Sequence, residues 1–298
     1  MNLPPLKKDP AFLGMTVTQF LGAFNDNLYK QMLLLIAIDY KQDNNLDGDP
    51  YQFLAQLAFA IPFVLLSGFA GFLSDRVSKK KVVVFCKGLE ILVMAAAVIA
   101  FMTGVVGSKA LLVSLVAVLF VMGAQSALFG PSKFGILPEM LRERDLPTAN
   151  GIIQMTTFLA IILGTAASGF LKQALPNQLW VISAVCVCIA IAGTCSALLI
   201  RKTPIANPDM KFSADCLLIE KAAFRFIWSD RSLVITMLTY ALFWLLGRWC
   251  CHLSIWFAKT SWGTRIKLHR SWRRVWESAS RSDVSFVEKF RKAECVLI

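Results

Sequence analysis

Seven long apolar runs limit what this chain can fold into. They fall at about 12–38, 51–72, 82–106, 110–130, 149–171, 178–200 and 232–257. A hydrocarbon core about 30 Å thick is crossed by roughly 20 apolar residues in a helix. Lipid offers the backbone no hydrogen-bond partner, so each run predicts a helix that satisfies its own amides. Composition agrees: 56% of the 298 residues are hydrophobic and 17% are charged, against roughly 25% charged in an ordinary soluble domain. The mean hydropathy is +0.60. The predicted class is an all-α polytopic membrane protein.

The charges lie between the runs and alternate in sign. The N-terminal segment carries Lys7 and Lys8, and loop 39–50 sets Asp39, Asp43, Asp47 and Asp49 against Lys41. Loop 72–81 holds Arg76, Lys79, Lys80 and Lys81, and loop 131–148 holds Lys133, Arg142 and Arg144 among three acids. Segment 201–231 adds Arg201, Lys202, Lys211, Lys221, Arg225 and Arg231. The excess of Lys and Arg places the N-terminus, 72–81, 131–148 and 201–231 in the cytoplasm. The first six runs then form a closed set with both ends inside. Basic loops beside membrane spans also account for the net charge of +12 without nucleic acid, so no nucleic-acid partner is expected.

The domain reading follows. Residues 1–200 form a six-span bundle, 201–231 a cytoplasmic linker opening with Pro204 and Pro208, and 232–257 a seventh span that starts another bundle. Within the linker, residues 217–228 read either as a short interfacial helix or as unstructured chain. The tail 258–298 holds ten Lys/Arg against four acids, and five of the eight tryptophans crowd into 249–276. A crossing seventh span would leave this basic tail outside, against the positive-inside rule. Its break with every preceding segment reads better as a change of reading frame near residue 248 than as a surface-bound tail.

The polar residues inside the spans are the candidate site. Span one carries Gln19, Asn25, Asp26, Asn27 and Lys30. An ionisable group at mid-bilayer costs roughly 2.5–3.5 kcal/mol on insertion scales and is functional by default. At about 100° per residue, Gln19, Asp26 and Lys30 share a face, and Asp26 precedes Lys30 by four residues, the favourable ion-pair order. A substrate or coupling-ion site facing a cavity is favoured over a neutralised pair that merely locks helices. In span three, Lys87 and Glu90 read either as a pair snorkelling to the interface or as a gate. Gln52, Gln56, Gln125 and Gln154 are candidate hydrogen-bond partners or helix glue, and Pro62, Gly164 and Ser168 signal kinks and close packing.

Other chemistries find little support. Cys86, Cys186, Cys188 and Cys195 lie inside apolar runs, no CxxC pair occurs, and there are two histidines, so neither a disulfide framework nor a metal site is expected. Residues 43–48 match the first half of a calcium loop, but Leu54 stands where the bidentate Glu belongs. No nucleophile–base pair or phosphate loop is present, so neither an enzyme nor a cofactor is expected. Lys7 and Lys8 precede a run that outlasts a signal peptide, so no cleavable leader is expected.

Two groups of motifs carry a family resemblance. Gly71, Asp75, Arg76, Lys79 and Lys80, with Ser78 where Gly is usual, resemble the signature between spans two and three of the major facilitator superfamily. Phe24-Asn25-Asp26-Asn27 is similar to a polar element of the lysophospholipid transporter branch. Gly130, Pro131, Lys133, Gly135, Pro138 and Glu139, with Phe134 in place of the usual Tyr, resemble that branch's element after span four. The resemblance implies a fold of two six-helix bundles, of which this chain supplies one and part of a second. It implies that the 71–80 loop gates an inside-facing cavity through Asp75 and Arg76. It also implies membrane-lipid surroundings, a lysophospholipid substrate, an inner-membrane location with a cytoplasmic N-terminus, and an acyltransferase/acyl-carrier-protein synthetase as fusion partner. The rival readings are a facilitator for another small solute and the membrane anchor of a phospholipid acyltransferase.

Overall fold

The computed structural model describes residues 4–45, 50–105, 107–176, 178–209, 221–242 and 245–246. The expected tail 258–298 and most of the second half of the expected span 232–257 lie outside the described residues. The chain divides into two compact units, Met1–Glu220 and Lys221–Ile298.

In the first unit each of the six apolar runs becomes one helix: α1 Pro10–Asp43, α2 Pro50–Arg76, α3 Lys79–Thr103, α4 Lys109–Gly135, α6 Leu146–Ala174 and α7 Leu179–Leu198, with a one-turn α5 at Leu137–Met140. The second unit holds α8, Lys221–Ser229, and an apolar helix α9, Arg231–Leu242, shorter than the spans of the first unit. The helices outgrow the runs that predict them. The 27 residues of α2 span about 40 Å, some 10 Å more than the hydrocarbon core, so polar residues such as Asp75 and Arg76 continue the helix beyond it.

That continuation corrects two expected loops. The basic loop 72–81 shrinks to Val77 and Ser78, because Gly71, Asp75 and Arg76 belong to α2 while Lys79 and Lys80 open α3. Arg76 in the last turn of α2 faces unpaired carbonyls, where a cation is favoured. Likewise Gly130, Pro131, Lys133 and Gly135 sit in the last turns of α4, and Pro138 and Glu139 sit in α5.

Among the described residues, five helices, α2, α3, α4, α6 (taken from Glu143) and α7, are long and apolar enough to cross a membrane. α1 is longer, at 34 residues, but its polar stretch 19–30 keeps it out of that group. It packs against α2, α4, α6 and α7, so protein rather than lipid meets those polar groups. Numbering the six long helices in chain order, α1 pairs with the fifth and sixth, and α4 with the second and third. Adding three to each helix number converts one set of pairs into the other, and the α3–α7 pair maps onto itself. Helices three apart run in opposite directions, so the bundle is an inverted repeat of three helices.

Two glycines let the halves of that repeat approach closely. A Cβ at Gly164 of α6 would lie 2.5 Å from the Phe24 carbonyl oxygen of α1, and one at Gly123 of α4 would lie 2.7 Å from that of Phe59 of α2. Without a side chain, the backbones meet directly. Gly164→Leu is expected to pry α1 from α6 and abolish monodisperse protein in detergent size-exclusion chromatography. A normal elution peak and yield would count against this packing. Below the contact, Tyr29 is wholly buried and its hydroxyl donates to the Leu115 carbonyl at 3.1 Å.

Candidate functional site

The polar stretch of α1 meets α4, α2, α6 and α3. Asp26 Oδ2 accepts a 2.6 Å hydrogen bond from Ser126 Oγ of α4, while its Oδ1 is buried without a hydrogen-bond partner. Lys30 Nζ donates to Asn27 Oδ1 at 3.0 Å and stands 4.9 Å from the centre of the Phe59 ring of α2. Two turns toward the N-terminus, Gln19 Nε2 donates to Thr156 Oγ1 of α6 at 2.6 Å. Gln19 Oε1 accepts from Thr157 Oγ1 at 2.8 Å, and Lys133 Nζ of α4 donates to that same hydroxyl at 3.0 Å.

These contacts form a ladder with two rungs. Gln19 and Asp26 are seven residues apart on α1, and Ser126 and Lys133 are seven apart on the oppositely directed α4. Seven residues return a helix to nearly the same face about 10 Å along its axis. Asp26–Ser126 is one rung, and Gln19–Thr157–Lys133 is the other. The cluster gathers a carboxylate with one buried oxygen lacking a hydrogen bond, the Lys30 and Lys133 ammonium groups, and the Phe59 ring. Both signs of charge thus lie within one cluster on α1 and α4. Among the described residues, no group of three or more His, Cys, Asp or Glu side chains is placed to hold a metal ion.

Asn25 belongs to a different cluster. Its Nδ2 donates to Glu90 Oε1 at 2.7 Å, and Lys87 Nζ donates to Glu90 Oε2 at 2.5 Å. Lys87 and Glu90 are each 1% exposed, so the snorkelling reading of this pair is wrong. A bundle of helices shields it from both the interface and lipid, and a side chain on Gly22 of α1 would collide with Lys87 Nζ. The pair neutralises itself and ties α3 to α1.

At the end of the bundle where α1 starts and α7 finishes, polar contacts join four chain segments. Asp9 accepts from the Ala11 amide at 3.0 Å, capping α1. Its two oxygens also receive Arg201 Nη2 at 2.7 and 2.8 Å. Arg201 Nη1 donates to the Met140 carbonyl at 3.3 Å. Lys79 forms an ion pair with Glu139, so two motifs read separately in the sequence meet in space. The strand of chain after α7 is strapped to the α2–α3 junction. Thr203 and Ser78 hydroxyls lie 3.1 Å apart, and the Asn207 amide donates to the Asp75 carbonyl at 2.9 Å. Lys80 Nζ donates to the Leu198 carbonyl at 3.0 Å. Asp75 and Arg76 expose their side chains.

Sequence reasoning brought forward Gln125, which is buried and accepts a hydrogen bond from Ser126 at 3.3 Å, but missed Ser126 itself. It also missed Thr156, Thr157, Phe59 and the Asp9–Arg201 link. The seven-residue spacing of Ser126 and Lys133 was the available signal for the α4 face. No local pattern joins Asp9 to Arg201, which stand 192 residues apart.

The model of the Major Facilitator Superfamily matches residues 15–270. The lysophospholipid transporter LplT of Escherichia fergusonii is 29% identical over 239 residues, which is 78% of this chain and 54% of that protein. Its counterpart in Salmonella arizonae is 30% identical over 241 residues, 79% of this chain and 54% of the relative. In Citrobacter koseri the identity is 31% over 205 residues, 67% of this chain and 45% of the relative. The chain spans about half the length of the curated relatives it matches.

Proposed function

Because this chain belongs to the Major Facilitator Superfamily, we propose that it forms the first bundle, and the start of the second, of a transporter that carries a lysophospholipid across the inner membrane. The relatives named lysophospholipid transporter supply the substrate class. The observation that carries the reading is the Asp26 carboxylate, set within a span with one buried oxygen unpartnered. A buried carboxylate oxygen left without a hydrogen bond is costly, and a cationic headgroup amine offsets that cost. Lys30, four residues on and thus about 6 Å along the helix, takes the phosphate of the same zwitterion. Apolar span faces accommodate the single acyl chain.

The end of the bundle bearing Asp9, Lys79, Lys80 and Arg201 faces the cytoplasm under this reading. Asp75 and Arg76, with the Lys79–Glu139 pair, act there as the inner gate. The substrate moves from the outer to the inner face, where an acyltransferase/acyl-carrier-protein synthetase re-acylates it. Alternating access rocks two bundles about a midplane site, so the test uses the two-bundle protein. Reconstituted in liposomes, it is expected to move labelled lysophosphatidylethanolamine and to leave small hydrophilic solutes and drugs untouched. Flux of one of those solutes without flux of lysophospholipid would replace this reading with that of a different facilitator.

A further inference from the structure

The second unit carries a feature that transport does not use. We propose that α8 lies on the bilayer surface and binds the headgroups of anionic phospholipids. Its sequence, KAAFRFIWS, places Lys221, Arg225 and Ser229 four residues apart, on one stripe of the helix. The remaining positions are all apolar: Ala222, Ala223, Phe224, Phe226, Ile227 and Trp228. Phe226 and Trp228 are 67% and 63% exposed. Ala223, Phe226 and Ile227 lie across the helix from that stripe and Trp228 flanks it beside Lys221, the pattern of a helix lying in the membrane interface with an aromatic ring at headgroup level.

Two further observations support this placement and the preference for anionic lipid. A single residue, Asp230, separates α8 from the apolar α9. Its carboxylate caps α9, accepting from the Ser232 and Leu233 amides at 2.9 and 3.2 Å. The apolar helix α9, which begins the run expected to form a seventh span, thus starts after one intervening residue, so the end of α8 lies within about 7 Å of chain from it. Asp230 is the only acid from Lys221 to Arg231, set against Lys221, Arg225 and Arg231, so the segment carries a net charge of +2. Basic groups beside a bilayer are drawn to anionic headgroups within a Debye length. Nine residues are too few for a stable helix in water alone, where roughly 12–15 are marginal, so a surface must support this one.

Amide hydrogen exchange of residues 221–229 tests the proposal, using the full chain in lipid nanodiscs. Discs of phosphatidylcholine alone are compared with discs containing phosphatidylglycerol. Exchange at least about tenfold slower in the phosphatidylglycerol discs is expected. Lys221→Glu/Arg225→Glu, which keeps good helix formers at both positions, is expected to erase that difference. Equally fast exchange in both discs would overturn the proposal. Slow exchange in both, insensitive to the charge reversal, would overturn it as well, because it would show α8 protected by protein or by apolar contact alone. The readout involves no substrate, so its result stands apart from that of the transport assay.

Discussion

Asp26→Asn is expected to lower lysophospholipid uptake by the two-bundle protein at least about tenfold, a loss of roughly 1.4 kcal/mol or more of interaction. The substitution is nearly isosteric, and the new amide oxygen still accepts the hydrogen bond from Ser126 seen at 2.6 Å. Folding is therefore preserved while the negative charge is lost. Charge-assisted hydrogen bonds are about twice as strong as neutral ones, so a cationic headgroup loses more than the packing does. Kinetics of labelled lysophosphatidylethanolamine uptake separate the two roles open to this carboxylate. A raised half-saturation concentration with an unchanged maximal rate assigns it to the headgroup. A reduced maximal rate with unchanged half-saturation assigns it to a coupling ion. Wild-type kinetics in both respects would remove Asp26 from the mechanism.

The second large effect concerns stability. Glu90→Gln leaves the Lys87 ammonium, 1% exposed, facing a neutral amide. Breaking a buried ion pair by removing one partner costs roughly 3–5 kcal/mol, on the order of 10 °C in apparent melting temperature for a unit of this size. The double variant Lys87→Met/Glu90→Gln is expected to recover most of that loss. It removes the stranded charge, and the amide oxygen introduced at position 90 still accepts from Asn25, whose bond to Glu90 is 2.7 Å. Thermal unfolding of the three proteins in one detergent measures the difference. A single variant as stable as the parent would show that Lys87 finds another partner or water.

How much of this was legible in advance differs by residue. The helices were legible because length and apolarity are properties of a local window, and six runs gave six helices. The ends were not, since a helix continues into polar residues once its last turns find partners. Hence loop 72–81 became the junction Val77–Ser78. Asp26 and Lys30 stood out because a charge within an apolar run is anomalous wherever its partners lie. The ties of Asn25 to α3 and Gln19 to α6 were hidden, because adjacent turns of α1 meet different helices.

The sequence by itself determined the class of this protein, the order of its helices and the residues that lipid would not tolerate. Those follow from hydropathy and charge, which each residue carries independently of its neighbours in space. Only the tertiary structure decided which of those residues are neutralised and which remain available. Lys87 and Glu90 satisfy one another inside the bundle, whereas Asp26 keeps one buried oxygen without a hydrogen bond. That difference arises from how three-helix halves pack at Gly123 and Gly164, which brings Gln19 to Thr157, 138 positions away in the chain.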